Sequence, residues 1–121
     1  MVQVQGDLVL GPPHRCRAFV AHSTHNIDRT MLREFAHQVI QIHTRWIFRT
    51  DVLARAEVVE QSALAMNDHG GFDGNFDYLV LNGDPLLNVA VALAIPTDQP
   101  LTLLRFDKQL NGYFPFRVRQ G

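Results

Sequence analysis

Apolar side chains recur at helical spacing through the middle of the chain, and this pattern restricts the fold more than any other. The first set follows steps of four, four, four, three and four: Ile27, Met31, Phe35, Val39, Ile42 and Trp46. The second set follows steps of four, three, four and three: Val52, Ala56, Val59, Ala63 and Met66. Such spacings place side chains on one face of an α-helix. Thr50 and Asp51 lie between the sets and can cap a new helix. The sequence therefore predicts two helices, at 27–49 and 51–68, and Gly70 and Gly71 end the second one.

Strand-like segments flank these two helices. Residues 2–10 and 15–21 precede them, and a turn containing Pro12 and Pro13 joins the two segments into a predicted hairpin. Residues 76–81, 86–95, 101–106 and 113–118 follow them, although 86–95 also fits a buried helix. The predicted fold is α+β in the order ββααββββ, with two consecutive helices packed on a mainly antiparallel sheet.

Size and composition narrow the class of protein. The chain has 121 residues, which predicts one domain over 1–121, and its 46% hydrophobic and 19% charged residues suit a globular core. A net charge of -1 favours neither nucleic acid nor an anionic membrane as a partner. The longest apolar run, Val89 to Ile95, is too short to cross a bilayer, and the first residues lack the features of a secretory signal. We therefore expect a cytoplasmic protein. Cys16 has no second cysteine to pair with and is predicted to be a small core residue.

Two histidines lie in the stretch AHSTHNID, where a strand leads into the first predicted helix. His22 and His25 are three residues apart. Asp28 could complete a site with them, as could Asp68, His69 or Asp73 if the two helices were antiparallel. A metal ion needs three or four converging ligands, whereas Ser, Thr and Asn at this position are also what a helix start requires. The helix-start interpretation is favoured, so we expect no metal site and no cofactor.

A second polar cluster resembles a calcium-binding loop in its spacing only. Asp73, Asn75, Asp77 and Asp84 match the first three side-chain positions and the twelfth, but Tyr78 replaces the glycine that the sixth position requires. The cluster also runs into a predicted strand, which would separate its side chains. It is therefore predicted to be an ordinary polar loop.

Two hypotheses for function remain, because the chain lacks GxSxG, phosphate-loop, GxGxxG and CxxC motifs. The favoured one is a non-catalytic binding or assembly module with an apolar helix–sheet surface or pocket, which forms a homo-oligomer or holds a small apolar ligand. Four apolar residues beside the main stripe widen the apolar face of the first helix: Leu32, Ile40, Ile47 and Phe48. Candidate binding residues are Trp46, His69 and Asp73. The alternative is a small enzyme using His22 or His25 with an aspartate such as Asp28 as acid and base, so whether the protein is an enzyme stays open.

Overall fold

The computed structural model describes residues 10–22, 27–43 and 52–121, with side chains of the second helix described from residue 56 onward. A single turn of 3₁₀ helix, Pro13–Arg15, precedes the first strand. The remaining elements alternate until a final pair of strands: β1 (Arg17–Val20), α1 (Arg29–Leu32), β2 (Gln38–Gln41), α2 (Val52–Asn67), β3 (Asp77–Val80), α3 (Pro85–Ala94), β4 (Leu101–Asp107) and β5 (Gly112–Arg119).

The strands form one five-stranded mixed sheet in the order β2-β1-β3-β4-β5. β1 pairs in parallel with both β2 and β3, β3 pairs in parallel with β4, and only β4 and β5 are antiparallel. The chain thus combines helices with a sheet, as predicted, but a mainly antiparallel sheet and the order ββααββββ are wrong. Both edges of β1 are paired, with β2 and β3. The hairpin predicted between 2–10 and 15–21 depends on residues 1–9, which lie outside the described part of the chain.

The helix predicted at 27–49 is wrong as well. Its described residues, 27–43, form the short helix α1 and then strand β2, and the His37 N–H donates to the Cys16 carbonyl just before β2 begins. Val39 and Ile40 pack into different apolar clusters on the two faces of the sheet. β2 has only two apolar residues between two glutamines, and Val39 lies four residues after Phe35, so the sequence pattern assigned it to the helix.

The segment 86–95 forms a helix rather than the strand first assigned to it. The Asp84 carboxylate accepts hydrogen bonds from the Leu86 N–H at 2.7 Å and the Leu87 N–H at 3.4 Å. Pro85 occupies the first turn, where its missing N–H costs nothing. The other predicted helix is confirmed as α2, and Gly70 and Gly71 follow it with φ of 85° and 87°.

Apolar side chains fill both faces of the sheet. One cluster joins α2 and α3 to strand residues such as Phe19 and Leu79, and the other joins α1 to Ala18, Val20 and Tyr78. The sequence predicted two consecutive helices packed on the sheet, but α1 and α2 lie on its opposite faces. Cys16 is fully buried in the second cluster, which confirms its predicted place in the core. No helix in the described part of the chain is long and apolar enough to cross a membrane.

Candidate functional site

A chain of buried polar groups lies at the carboxyl ends of β1 and β2. His22, which follows β1, places its Nδ1 atom 2.9 Å from the carbonyl oxygen of His43, which follows β2. The Nε2 atom of His43 lies 2.8 Å from Ser62 Oγ, and this hydroxyl donates to the Val58 carbonyl at 2.7 Å. His22 therefore meets a partner from the neighbouring strand that its sequence context did not indicate.

The hydrogen-bond partners of His22 and His43 determine which ring nitrogen of each histidine carries a proton. A carbonyl can only accept, so His22 carries a proton on Nδ1. Because Ser62 donates its hydroxyl proton to Val58, His43 must donate from Nε2. Burial lowers the pKa of His43, and the neighbouring His22 lowers it further, so His43 is neutral near pH 7. Ser62 is fully buried and its hydroxyl is held by its own helix, an arrangement that positions α2 against β2 rather than exposing a nucleophile.

The Asp28 side chain, predicted to act with the histidines as acid or base, has a structural role instead. The Asp28 carboxylate accepts a hydrogen bond from the Met31 N–H at 3.0 Å and so caps α1. Burial raises the pKa of Tyr113. Asp28 also affects this pKa: a hydrogen bond with its backbone lowers it, and the charge of its carboxylate raises it. His25 and Trp46 lie outside the described residues.

His69 and Asp73 contribute backbone atoms to an ion pair rather than side chains to a pocket. Arg17 holds the buried Asp77 with two hydrogen bonds, at 3.0 and 2.7 Å, and also donates to the His69 and Gly71 carbonyls. The Asp73 N–H donates to Asp77 at 2.7 Å. These contacts tie the start of β1 to the loop before β3.

The calcium-like spacing also has structural explanations. Asp77 pairs with Arg17, Asp84 caps α3, and the Asp73 side chain accepts a hydrogen bond from the Asn75 N–H at 3.0 Å. Among residues 10–22, 27–43 and 52–121, no three His, Cys, Asp or Glu side chains are grouped so that they could hold a metal ion.

A cleft of about 490 Å³ opens between α3 and the sheet. Its walls are mainly apolar and come from β3 and the residues after it, from α3, and from β4 and β5: Leu79, Leu81, Pro85, Val89, Ala92, Leu101, Leu103 and Val118. An adjoining pocket of about 340 Å³ shares Leu81, Leu103 and Arg105 with it and adds Phe114 and Phe116. Together they form a continuous apolar surface beside α3.

The turn Asn82-Gly83 places one end of this cleft next to His22, the first of the buried polar groups described above. Gly83 has a φ of 81°, and a Cβ atom at this position would lie 2.8 Å from the His22 carbonyl oxygen. Only glycine combines this backbone conformation with so close an approach. The cleft therefore begins where the carboxyl ends of β1 and β3 meet.

Two polar residues that the sequence did not single out lie in the cleft. Asn88 is 6% exposed, and its Nδ2 atom donates to the Asn82 and Asp84 carbonyls, both at 3.0 Å. Its Oδ1 atom is buried without a hydrogen-bond partner among the described residues. Arg105 lines the same cleft and is exposed. An asparagine within the apolar run LLNVAVALA was the available signal for Asn88.

Comparison with known proteins gives no match, whether to a family model, a curated protein or a solved structure. Function must therefore be inferred from the chemistry of the residues themselves.

Proposed function

We propose that this protein is a non-catalytic binding module that holds a small, mainly apolar ligand in the cleft between α3 and strands β3, β4 and β5. The observation that carries the proposal is the cleft itself, whose volume of about 490 Å³ falls within the usual range for ligand pockets. Its lining combines an apolar majority with a few polar groups, which is the composition of most small-molecule sites. We further propose a cytoplasmic homo-oligomer that uses no cofactor and binds neither nucleic acid nor membrane.

One end of the cleft, at Gly83, lies near a reversal in the order of the strands, which adds support to this proposal. The chain moves outward from β1 to β2 and then returns past β1 to β3, so the connections change direction between β1 and β3. In open sheets with parallel strands, ligands bind beyond the carboxyl ends of the strands at such a point. Gly83 belongs to the cleft and also contacts the segment that leaves β1 at His22.

Naphthalene is a suitable apolar probe, and a larger side chain at Val89 tests where it binds. Val89 lines the cleft but is 55% exposed, so Val89→Trp can fill the cleft without overpacking the core. Leu64→Trp is the matched control, because Leu64 is 58% exposed on α2 and does not line the cleft.

We expect naphthalene to shift the amide resonances of Leu103 and Val118 in NMR spectra of the wild-type protein. Val89→Trp should weaken binding about tenfold or more, and Leu64→Trp should leave it unchanged. Absence of saturable shifts at the cleft, or equal effects of the two variants, would refute the proposal.

The alternative, a small enzyme using His22 or His25 with an aspartate, has less support. His22 and His43 are buried, with 9% and 6% of their surface exposed, and the Asp28 carboxylate caps a helix. General acid–base catalysis requires such groups to reach a substrate. We therefore favour binding over catalysis.

Assembly is a second candidate function, and the exposed side of α3 favours it. Leu86, Val89 and Leu93 are 59%, 55% and 70% exposed along this helix. α3 carries no charged residue between Pro85 and Ala94, so a second copy of the chain could pack against it around a two-fold axis without burying like charges.

The outer strand β5 is less suited to pairing with another copy. Leu104 directs its carbonyl to the Leu81 N–H on the β3 side, so its partner Pro115 directs its backbone nitrogen away from β4. Proline has no N–H to donate at that outer edge and so discourages strand addition. Contact through α3 is the arrangement we propose.

Light scattering at high micromolar concentration tests this assembly. We expect a dimer for the wild-type protein, a monomer for Leu93→Glu, and a dimer for the control Leu64→Glu, since Leu64 lies on α2. A wild-type monomer at that concentration contradicts the proposal.

A further inference from the structure

We propose that the ligand of the α3 cleft is amphipathic: a flat apolar body that carries one hydrogen-bond donor, such as a hydroxyl or an N–H, and one anionic group, such as a carboxylate. This inference rests on the proposed function, because it assigns a chemical class to the ligand of the same cleft. Two polar groups carry it: the donor faces Asn88 Oδ1 and the anionic group pairs with Arg105.

Asn88 requires a donor because its amide has a fixed orientation. The Nδ2 atom is held by two carbonyls, at Asn82 and Asp84, so rotating the amide by 180° would place its oxygen against two other acceptors. Oδ1 therefore stays an acceptor, and it has no donor among the described residues. Buried acceptors in folded proteins are nearly always satisfied. Asn88 lines the cleft and its Oδ1 atom is buried in the cleft wall, so a ligand O–H or N–H that displaces the neighbouring atoms slightly gains a bond that the described residues leave unmade.

Arg105 supplies the charge complementarity. It lines both the cleft and the adjoining pocket, and among the described residues no carboxylate forms an ion pair with it. A guanidinium offers paired N–H donors that match the two oxygens of a carboxylate. The neighbouring cleft residues Leu103 and Val118 are apolar, so an anionic group would meet one cation and no competing negative side chain in the cleft lining.

The shape of the cleft indicates the form of the apolar part of the ligand. Val89 and Ala92 on α3 face Leu101 and Leu103 on β4 across the cleft. Apolar surfaces on two sides favour a flat hydrocarbon body, because such a body removes both walls from water at once. The ligand class is therefore a small aromatic or alicyclic acid with a hydroxyl or N–H group.

Two matched pairs of probes test the polar contacts separately and need no assumption about the distance between them. 2-Naphthol and 2-methoxynaphthalene differ in the hydrogen-bond donor, and 2-naphthoate and its methyl ester differ in the charge. Calorimetry on the wild-type protein should show 2-naphthol binding about fivefold or more tighter than 2-methoxynaphthalene. 2-Naphthoate should bind about two- to fivefold tighter than its ester, because Arg105 is exposed to solvent.

Variants assign each preference to its residue. Asn88→Leu should abolish the preference for 2-naphthol over 2-methoxynaphthalene, and Arg105→Gln should abolish the preference for 2-naphthoate over its ester. Arg33→Gln, at an exposed position after α1, is the control and should keep both preferences. A variant that merely loosens the fold weakens both members of a pair equally and leaves their ratio unchanged.

A measurement on the wild-type protein covers the case in which Asn88→Leu does not fold. The side-chain carbonyl ¹³C resonance of Asn88 should shift with 2-naphthol and not with 2-methoxynaphthalene. The proposal is overturned if either preference is absent in the wild-type protein, or if it survives the variant meant to remove it. Naphthalene binding without these preferences overturns only this inference, whereas no binding of naphthalene overturns the proposed function.

Discussion

The ion pair between Arg17 and Asp77 gives the sharpest test of how this fold is held together, because its two members are buried to different degrees. Asp77 is 1% exposed, whereas the Arg17 side chain is 21% exposed. Asp77 accepts three hydrogen bonds, two from Arg17 and one from the Asp73 N–H. Arg17 has two further acceptors, the His69 and Gly71 carbonyls. Removing either partner should therefore have unequal consequences.

Arg17→Met should be the more damaging change. It leaves a carboxylate almost completely buried with one of its three donors, and breaking a buried pair in this way costs about 3–5 kcal/mol. Asp77→Asn keeps the shape of the side chain and an oxygen for the Asp73 N–H, while Arg17 retains two carbonyl acceptors and contact with water. We expect this variant to lose about 2 kcal/mol, the value of one to two charge-assisted hydrogen bonds.

Urea denaturation of both single variants and of the double variant measures these costs. The double variant should lose at least about 1 kcal/mol less than the sum of the single variants, because the second substitution removes a partner that is already missing. Arg33→Met, at an exposed position, is the control and should stay within about 0.5 kcal/mol of the wild-type protein. If Asp77→Asn costs more than Arg17→Met, or if both cost less than about 1 kcal/mol, the argument from burial is refuted.

Three further predictions concern the carboxyl ends of the strands. Because the pKa of His43 is lowered on folding, the unfolded chain binds more protons; stability should fall as pH drops below 6.5, and His43→Gln should reduce this dependence in denaturation midpoints measured from pH 7.5 to 5. Gly83→Ala should destabilise the protein by about 1–3 kcal/mol, since its φ is 81° and the new Cβ would approach the His22 carbonyl; an unchanged urea midpoint would contradict this. Asp84→Ala should cost about 1 kcal/mol through loss of the α3 cap, and circular dichroism with urea titration would show whether the loss is absent.

Sequence patterns predicted the elements whose local signals agree with their final contacts. α2 carries apolar residues at helical spacing and is followed by Gly70 and Gly71, and β4 and β5 are joined by a turn at Asn111, which has a φ of 52°. These features depend on neighbours along the chain. They could therefore be found without knowing which strands pair.

β2 and the order of the strands could not be found in this way. The strands predicted at 15–21 and 76–81 are present as β1 and β3, whereas β2 has four residues, of which only Ile40 is buried. Val39 in β2 lies four residues after Phe35, so the sequence pattern assigned this strand to a helix. No pattern in the sequence indicates that β1 lies between β2 and β3.

The contacts of the candidate residues could not be predicted for a related reason. His22 and His43 are joined through parallel pairing of β1 and β2, and no spacing in the sequence brings them together. His69 and Asp73 contribute backbone atoms, whose roles do not depend on the side chain that the sequence displays. Arg105 gains its place in the cleft because β4 lies beside β3.

Asp84 shows how one residue can support two different interpretations. By spacing alone it completes a calcium-like set with Asp73 and Asp77, but its carboxylate caps α3 and thereby fixes the start of that helix at Pro85. Asn88 then lies one turn further on, where its amide reaches back to the Asp84 carbonyl and leaves Oδ1 without a donor. The cap therefore sets the acceptor on which the proposed ligand chemistry depends. It follows that Asp84→Ala should weaken 2-naphthol binding more than 2-methoxynaphthalene binding, because it loosens the turn that orients Asn88.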